Sequence, residues 1–122
     1  KDKQFVNIHA GITPAYRGVH GGYWALANND ANNFGVTLHY VDKGVDTGRV
    51  IAQDSIKINN NDNFVTYPLI QLSHGIILLQ KFLFNYSEDN ATKENKNKTP
   101  SCQHYHPTLW FYFYTFLIKK IK

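Results

Sequence analysis

A chain of 122 residues is long enough for one domain with a buried core. Its 43% hydrophobic and 18% charged residues are those of a globular protein rather than a disordered one. A net charge of +4, with lysines gathered in a polar run (Lys93, Lys96, Lys98) and at the end (Lys119, Lys120, Lys122), lacks the basic–aromatic interleaving of a nucleic-acid face, so no nucleic-acid partner is expected. The one cysteine, Cys102, excludes an internal disulfide. No apolar signal-peptide core opens the chain, and the expected setting is reducing and cytoplasmic.

Taken in order, residues 4–8 are apolar and β-prone and predict a central strand buried on both faces. A loop with Gly11, Pro14 and Gly18 follows. Residues 19–28 predict a first helix through Tyr23, Trp24, Leu26 and Ala27, with Gly21 and Gly22 leaving room for a backbone or a ligand. The Asn-rich residues 28–33 predict a turn. Phe34, Val36, Leu38 and Tyr40 alternate with Gly35, Thr37 and His39, the period of a strand over 34–42. A glycine turn leads to a strand over 49–58, and the two are expected to pair antiparallel.

A second helix is predicted over 64–86, its apolar face formed by Leu69, Leu72, Ile76, Leu79, Phe82 and Leu83, with Asn61 or Asp62 as its cap and Pro68 in its first turns. Residues 87–99 are polar and charged and read as a linker or exposed loop between a domain over 1–86 and a tail over 100–122. The tail predicts a third helix over 107–120. Its ten-residue apolar run is half the roughly 20 residues a membrane span needs, so packing on its own domain is expected.

Two turns carry the chemistry. The first contains Asn7 and His9, two residues apart on one strand and therefore on one face. The second contains Asp42 and Asp46 between Val41 and Gly48. If the turns meet, an amide, an imidazole and a carboxylate come together. The carboxylate then holds and charges the ring, and ring and amide stabilise an oxyanion during acyl transfer to an amine. Asp42 reads as a turn residue and Asp46 as the functional carboxylate. His20, His39, His104 and His106 invite a metal reading, but a metal centre is not expected: the local cluster of Cys102, His104 and His106 lacks the paired ligand spacing of zinc sites.

With Asn7-x-His9, then Pro14, Tyr16, Arg17 and Gly18, then Asp46 on a glycine turn, the chain resembles the folate-dependent formyltransferases over about residues 5–58. A weaker echo runs through Asn63 to Pro68 and Tyr105 to Trp110. It departs from the family's pattern at Gly11-Ile12-Thr13 and at Gly21-Gly22. The resemblance implies an α/β, Rossmann-like domain of which this is the C-terminal portion, with three strands and three helices. It implies 10-formyltetrahydrofolate as co-substrate in one-carbon metabolism, no metal, and catalysis by Asn7, His9 and Asp46. Val41, Asp42, Lys43, Gly44 and Val45 would contact the folate, and Arg17 and Gly18 the amine substrate.

A chain with no methionine that starts mid-fold reads as a fragment, whose partner would be the missing N-terminal half of the domain; an oligomer is also open. Glycinamide ribonucleotide or an amino-sugar nucleotide is the expected acceptor, the sugar favoured slightly by Gly21-Gly22. Methionyl-tRNA is the least expected, because no further C-terminal domain follows. The rival reading is a non-catalytic remnant that binds a partner.

Overall fold

The computed structural model describes residues 3–85 and 100–121. Residues 87–99, expected as a linker, lie outside these. The described chain is α/β. It holds strands β1 (Val6–His9), β2 (Arg17–Gly18), β3 (Gly35–Tyr40), β4 (Val50–Ser55) and β5 (Gln103–His104), and helices α1 (Gly21–Ala27), α2 (Tyr67–Phe84) and α3 (Leu109–Ile118). The main sheet has the order β1-β3-β4. Both pairings are antiparallel, with Asn7 opposite His39, His9 opposite Thr37 and Leu38 opposite Ala52. A register shift lies between Leu38 and His39, just before the chain leaves the sheet.

Each of the three expected strands and three expected helices is present, with shorter bounds. Two strands were not foreseen. Strands β2 and β5 are two residues each and pair in parallel, Arg17 opposite Gln103 and Gly18 opposite His104. Neither carries an alternating pattern, since two residues are too few to show a period. Gly18 has φ 89°, and a side chain there would collide with the backbone of His104. A glycine is needed for both reasons.

Strand β1 is not buried on both faces. Phe5 is 65% exposed, Asn7 is exposed, Ile8 is half-buried and only His9 is buried. Among the described residues β1 is an edge strand, and the doubly buried strand is β3. Its Val36, Thr37 and Leu38 are all 0% exposed. Val36 and Leu38 lie on one face and Thr37 on the other; that polar face is buried as well, and hydrogen bonds satisfy it.

The apolar face of α2 also differs from expectation. Tyr67, Gln71 and Gly75 are its buried residues, while Leu69, Leu72, Ile76 and Leu83 are exposed. Gly75 lets the helix sit directly on Ile8 and Val36. The Gln71 amide donates to the Gly35 carbonyl at 2.5 Å. A helix this close to the sheet contacts it through a narrow seam, so spacing of leucines alone misplaces the seam. Asp62 does not cap α2. It accepts from the Asn59 N–H at 2.7 Å and closes the preceding turn, while Asn63 Oδ1 accepts from the Val65 and Thr66 N–H groups. Pro68 sits in the first turn, where its missing N–H costs nothing.

The core gathers Tyr23, Leu26, Ala27, Phe34, Val36, Ile56 and Tyr67, with Phe111 and Tyr112 of α3 packed against it. Helix α3 starts at a Thr108 cap whose hydroxyl accepts from the Phe111 N–H. Its buried Thr115 meets the Tyr23 hydroxyl at 2.7 Å, and Lys119 donates to the Ala27 carbonyl. Its other face is exposed, with Trp110 81% accessible. No helix among the described residues is long and apolar enough to cross a membrane.

Candidate active site

The site lies on the sheet face away from α2. Strand alternation places Asn7 and His9 on that face of β1, and the register sets His39 of β3 beside Asn7. The turn between β3 and β4 then folds Asp46 over them. Asp46 takes φ 50°, a left-handed conformation that aspartate tolerates better than most residues. Its carboxylate is 13% exposed. Oδ2 accepts from the Gly18 N–H at 2.9 Å and lies 3.3 Å from His9 Nδ1. Oδ1 lies 3.4 Å from Asn7 Nδ2 and 3.5 Å from His39 Nε2. The amide, the imidazole and the carboxylate therefore meet at one point.

His9 is 6% exposed, and its other ring nitrogen, Nε2, is 2.6 Å from the Tyr16 carbonyl. A carbonyl only accepts, so Nε2 carries a hydrogen. Burial pushes the His9 pKa below its ordinary value; the Tyr16 carbonyl and the Asp46 carboxylate act in the opposite direction, and His39 adds to the lowering. The proton that comes and goes is therefore the one on Nδ1, facing Asp46.

Asp42, in the same turn, does a different job. It accepts from the Thr47 hydroxyl at 2.7 Å and the Gly44 N–H at 3.0 Å. These bonds hold its pKa below the usual carboxylate range, the Thr47 bond most. Asp42 closes the loop and does not touch His9 or Asn7 through any bond described here. Val41, Lys43 and Val45 are exposed on the same turn.

Arg17 spans two segments: its Nη1 donates to the Val45 carbonyl at 2.8 Å and its Nε to Ser101 Oγ at 2.9 Å. The loop before it is pinned by Thr37, whose hydroxyl donates to the Gly11 carbonyl and accepts from the Thr13 N–H and the Gln53 amide. Gly21 packs on Ala10 O, Gly11 Cα and Tyr16 O, and Gly22 on Gln71 and Phe34. These two glycines bring the chain's own atoms close, and the lean toward a sugar acceptor that rested on them loses that support. His20 Nε2 and His106 Nδ1 lie 3.0 Å apart, yet no group of three His, Cys, Asp or Glu side chains arranged to hold a metal ion occurs among the described residues.

His39, which the sequence offers only as one of several histidines for a metal, joins Asn7 and Asp46 in the site. The signal was present only as a cross-strand relation to Asn7, and the pairing of β1 with β3 had not been drawn. Its Nδ1 is 2.8 Å from the Tyr40 carbonyl, which puts the hydrogen there and leaves Nε2 to accept from Asn7 Nδ2 at 3.3 Å.

Known proteins are similar to this chain in sequence and in fold. A methionyl-tRNA formyltransferase of Desulforamulus reducens is 34% identical over 95 residues, which is 78% of this chain and 30% of that protein. The solved N-formyltransferase of Helicobacter canadensis, in complex with folinic acid and dTDP-3-aminofucose, is 31% identical with TM-score 0.69, covering 81% of this chain and 36% of that one. Phosphoribosylglycinamide formyltransferase of Bacillus halodurans is 33% identical with TM-score 0.55, covering 71% of this chain and 46% of that one. The chain thus spans about a third of the length of the first relative. The formyl transferase family model matches residues 1–69, more than half of the 122, and the chain belongs to that family.

Proposed function

We propose that the protein of which this chain is a part moves a formyl group from 10-formyltetrahydrofolate to an amine. The observation that carries this reading is the Asp46 carboxylate, bonded to the Gly18 N–H and within 3.3–3.5 Å of His9, Asn7 and His39. The neutral amine attacks the formyl carbon, a C–N bond forms, and negative charge develops on the formyl oxygen. Asn7 Nδ2–H and protonated His9 Nδ1–H stabilise that charge. Asp46 favours the charged ring against its burial and relays the amine proton, directly or through a water, toward the departing folate nitrogen as the old C–N bond breaks.

In this reading residues 41–45 hold the folate through the loop backbone and the exposed Val41 and Val45. Asp42 sets the loop's shape. Gly18 fixes Asp46 at the acceptor side, and Arg17 adds a cation there for an anionic acceptor such as a phosphate. The amine remains a choice among three chemistries that the relatives' names supply: an amino-sugar nucleotide, glycinamide ribonucleotide and methionyl-tRNA. The expectation against tRNA rested on the missing further domain; a chain spanning 30% of a methionyl-tRNA formyltransferase gives no ground for it.

The test is an assay of the intact protein with 10-formyltetrahydrofolate against these three amines, following tetrahydrofolate release and the formylated product. Transfer to one of them, abolished in Asp46→Asn, is the expected result. No transfer to any, with folate binding absent, would favour the rival reading of a partner-binding remnant, for which the exposed outer faces of α2 and α3 are the supporting observation.

A further inference from the structure

The site residues touch a second polar group that the reaction itself does not use. Tyr16 is 5% exposed, and its hydroxyl donates to Asp30 Oδ2 at 2.8 Å. The same oxygen accepts from Asn33 Nδ2 at 2.9 Å, and the Asp30 N–H donates to the Ala25 carbonyl at 2.8 Å. Asp30 is thereby fixed to the end of α1. The Tyr16 ring stacks on His104, with centroids 5.3 Å apart and 17° between planes. The backbone of this well-anchored residue supplies the carbonyl that receives His9 Nε2 at 2.6 Å.

We propose that Tyr16 and Asp30 are positioning residues for His9: the Asp30–Tyr16 bond holds the Tyr16 carbonyl where it fixes the His9 ring as the Nε2–H form, so that Nδ1 alone exchanges its proton with the reaction. The relay runs from α1 to the site in three bonds: Asp30 to the Tyr16 hydroxyl, the Tyr16 carbonyl to His9 Nε2, and His9 Nδ1 to Asp46.

Two further observations support it. Burial, reinforced by the Asp30 bond, pushes the Tyr16 pKa up to about 12, so the phenol stays a donor across the working pH range. Gly11 keeps the second bond open. A Cβ there would lie 2.5 Å from the Tyr16 carbonyl oxygen and 2.7 Å from His9 Nε2.

The inference rests on the formyl-transfer reading for its kinetic arm and is independent of it in its spectroscopic arm. The experiment compares the intact wild-type protein with Tyr16→Phe, Asp30→Ala and Asp30→Asn, using nitrogen NMR of histidine-labelled protein across pH and steady-state kinetics. In the wild type, Nε2 is expected to give a protonated signal throughout, with Nδ1 titrating. Tyr16→Phe keeps the stacked ring and loses the hydroxyl. It and Asp30→Ala are expected to shift the Nε2 signal toward a mixture of tautomers and to lower kcat on the order of tenfold, with KM for the folate unchanged. Asp30→Asn keeps an acceptor for the hydroxyl and is expected to restore both readouts to near wild type.

A Tyr16→Phe protein with the wild-type Nε2 signal overturns the proposal, whatever its melting temperature. So does a drop in kcat with no change in tautomer. If the wild type transfers no formyl group, the functional reading fails alone, and the nitrogen titration still decides this one. Should Tyr16→Phe not fold, Gly11→Ala, which intrudes on the Tyr16–His9 bond from the other side, is expected to give the same tautomer shift.

Discussion

The two faces of the main sheet solve burial in opposite ways. One carries Asn7, His9, Thr37 and His39, polar groups that meet Asp46, Tyr16 O, Gly11 O and Gln53. The other carries Ile8 and Val36, pressed against Gly75 of α2. On the first face each buried group is held by a directed bond, so one changed atom removes a function. On the second, contact is non-directional, and what counts is volume. Substitutions on the polar face should act on chemistry with little effect on stability. Substitutions on the apolar face should do the reverse.

Asp46→Asn breaks the comparison hardest. It keeps the shape and removes the charge that favours a protonated His9, and the turnover of the intact enzyme is expected to fall on the order of 10²–10³-fold. Folate binding should persist. Double substitution with His9→Ala should cost little more than either alone, because the groups act as one unit. Near-native turnover in Asp46→Asn together with loss in Asp42→Asn would show that the wrong carboxylate of this turn has been assigned.

On the apolar face, Leu38→Ala empties space around a fully buried side chain. A loss of about 2–5 kcal/mol in denaturant unfolding is expected. Gly75→Ala sharpens the same point through its sign. Helix propensity alone favours alanine by about 1 kcal/mol. The new methyl would press on Ile8 and on Val36 Cγ2, the latter 3.1 Å away, and overpacking costs about 1–3 kcal/mol. Net destabilisation is expected; a stabilised Gly75→Ala would mean that α2 has room to move off the sheet.

The smallest effect is on pH. Burial lowers the pKa values of His9, His20 and His104 in the folded protein. The unfolded chain then binds more protons than the folded one once pH falls below the ordinary histidine value of about 6.5. Stability is therefore complete above that pH and declines as pH drops through it, levelling off below the folded values. Melting temperature measured from pH 8 to pH 5 should fall. A rise toward acid would mean that the carboxylate and carbonyl around His9 outweigh its burial.

The sequence by itself determined the three longer strands and the three helices, and with the family resemblance it singled out Asn7, His9 and Asp46, which the fold brings together. Period two over Gly35–Tyr40 is enough for a strand, because successive side chains of a strand point to opposite faces. Asn7 and His9 share a face because alternate residues on any strand do. Asp46 was separable from Asp42 only by the family resemblance, since each stands two residues before a glycine in one turn. The tertiary structure decided what depends on register and distance. It placed His39 beside Asn7 through a pairing of β1 with β3 that no local pattern encodes. It turned Leu69, Leu72 and Leu83 of α2 outward, since the seam is set by where Gly75 lets two backbones approach rather than by hydrophobic spacing. It also paired β2 with β5 across 85 residues of chain, two residues against two, a contact too short to leave a periodicity behind.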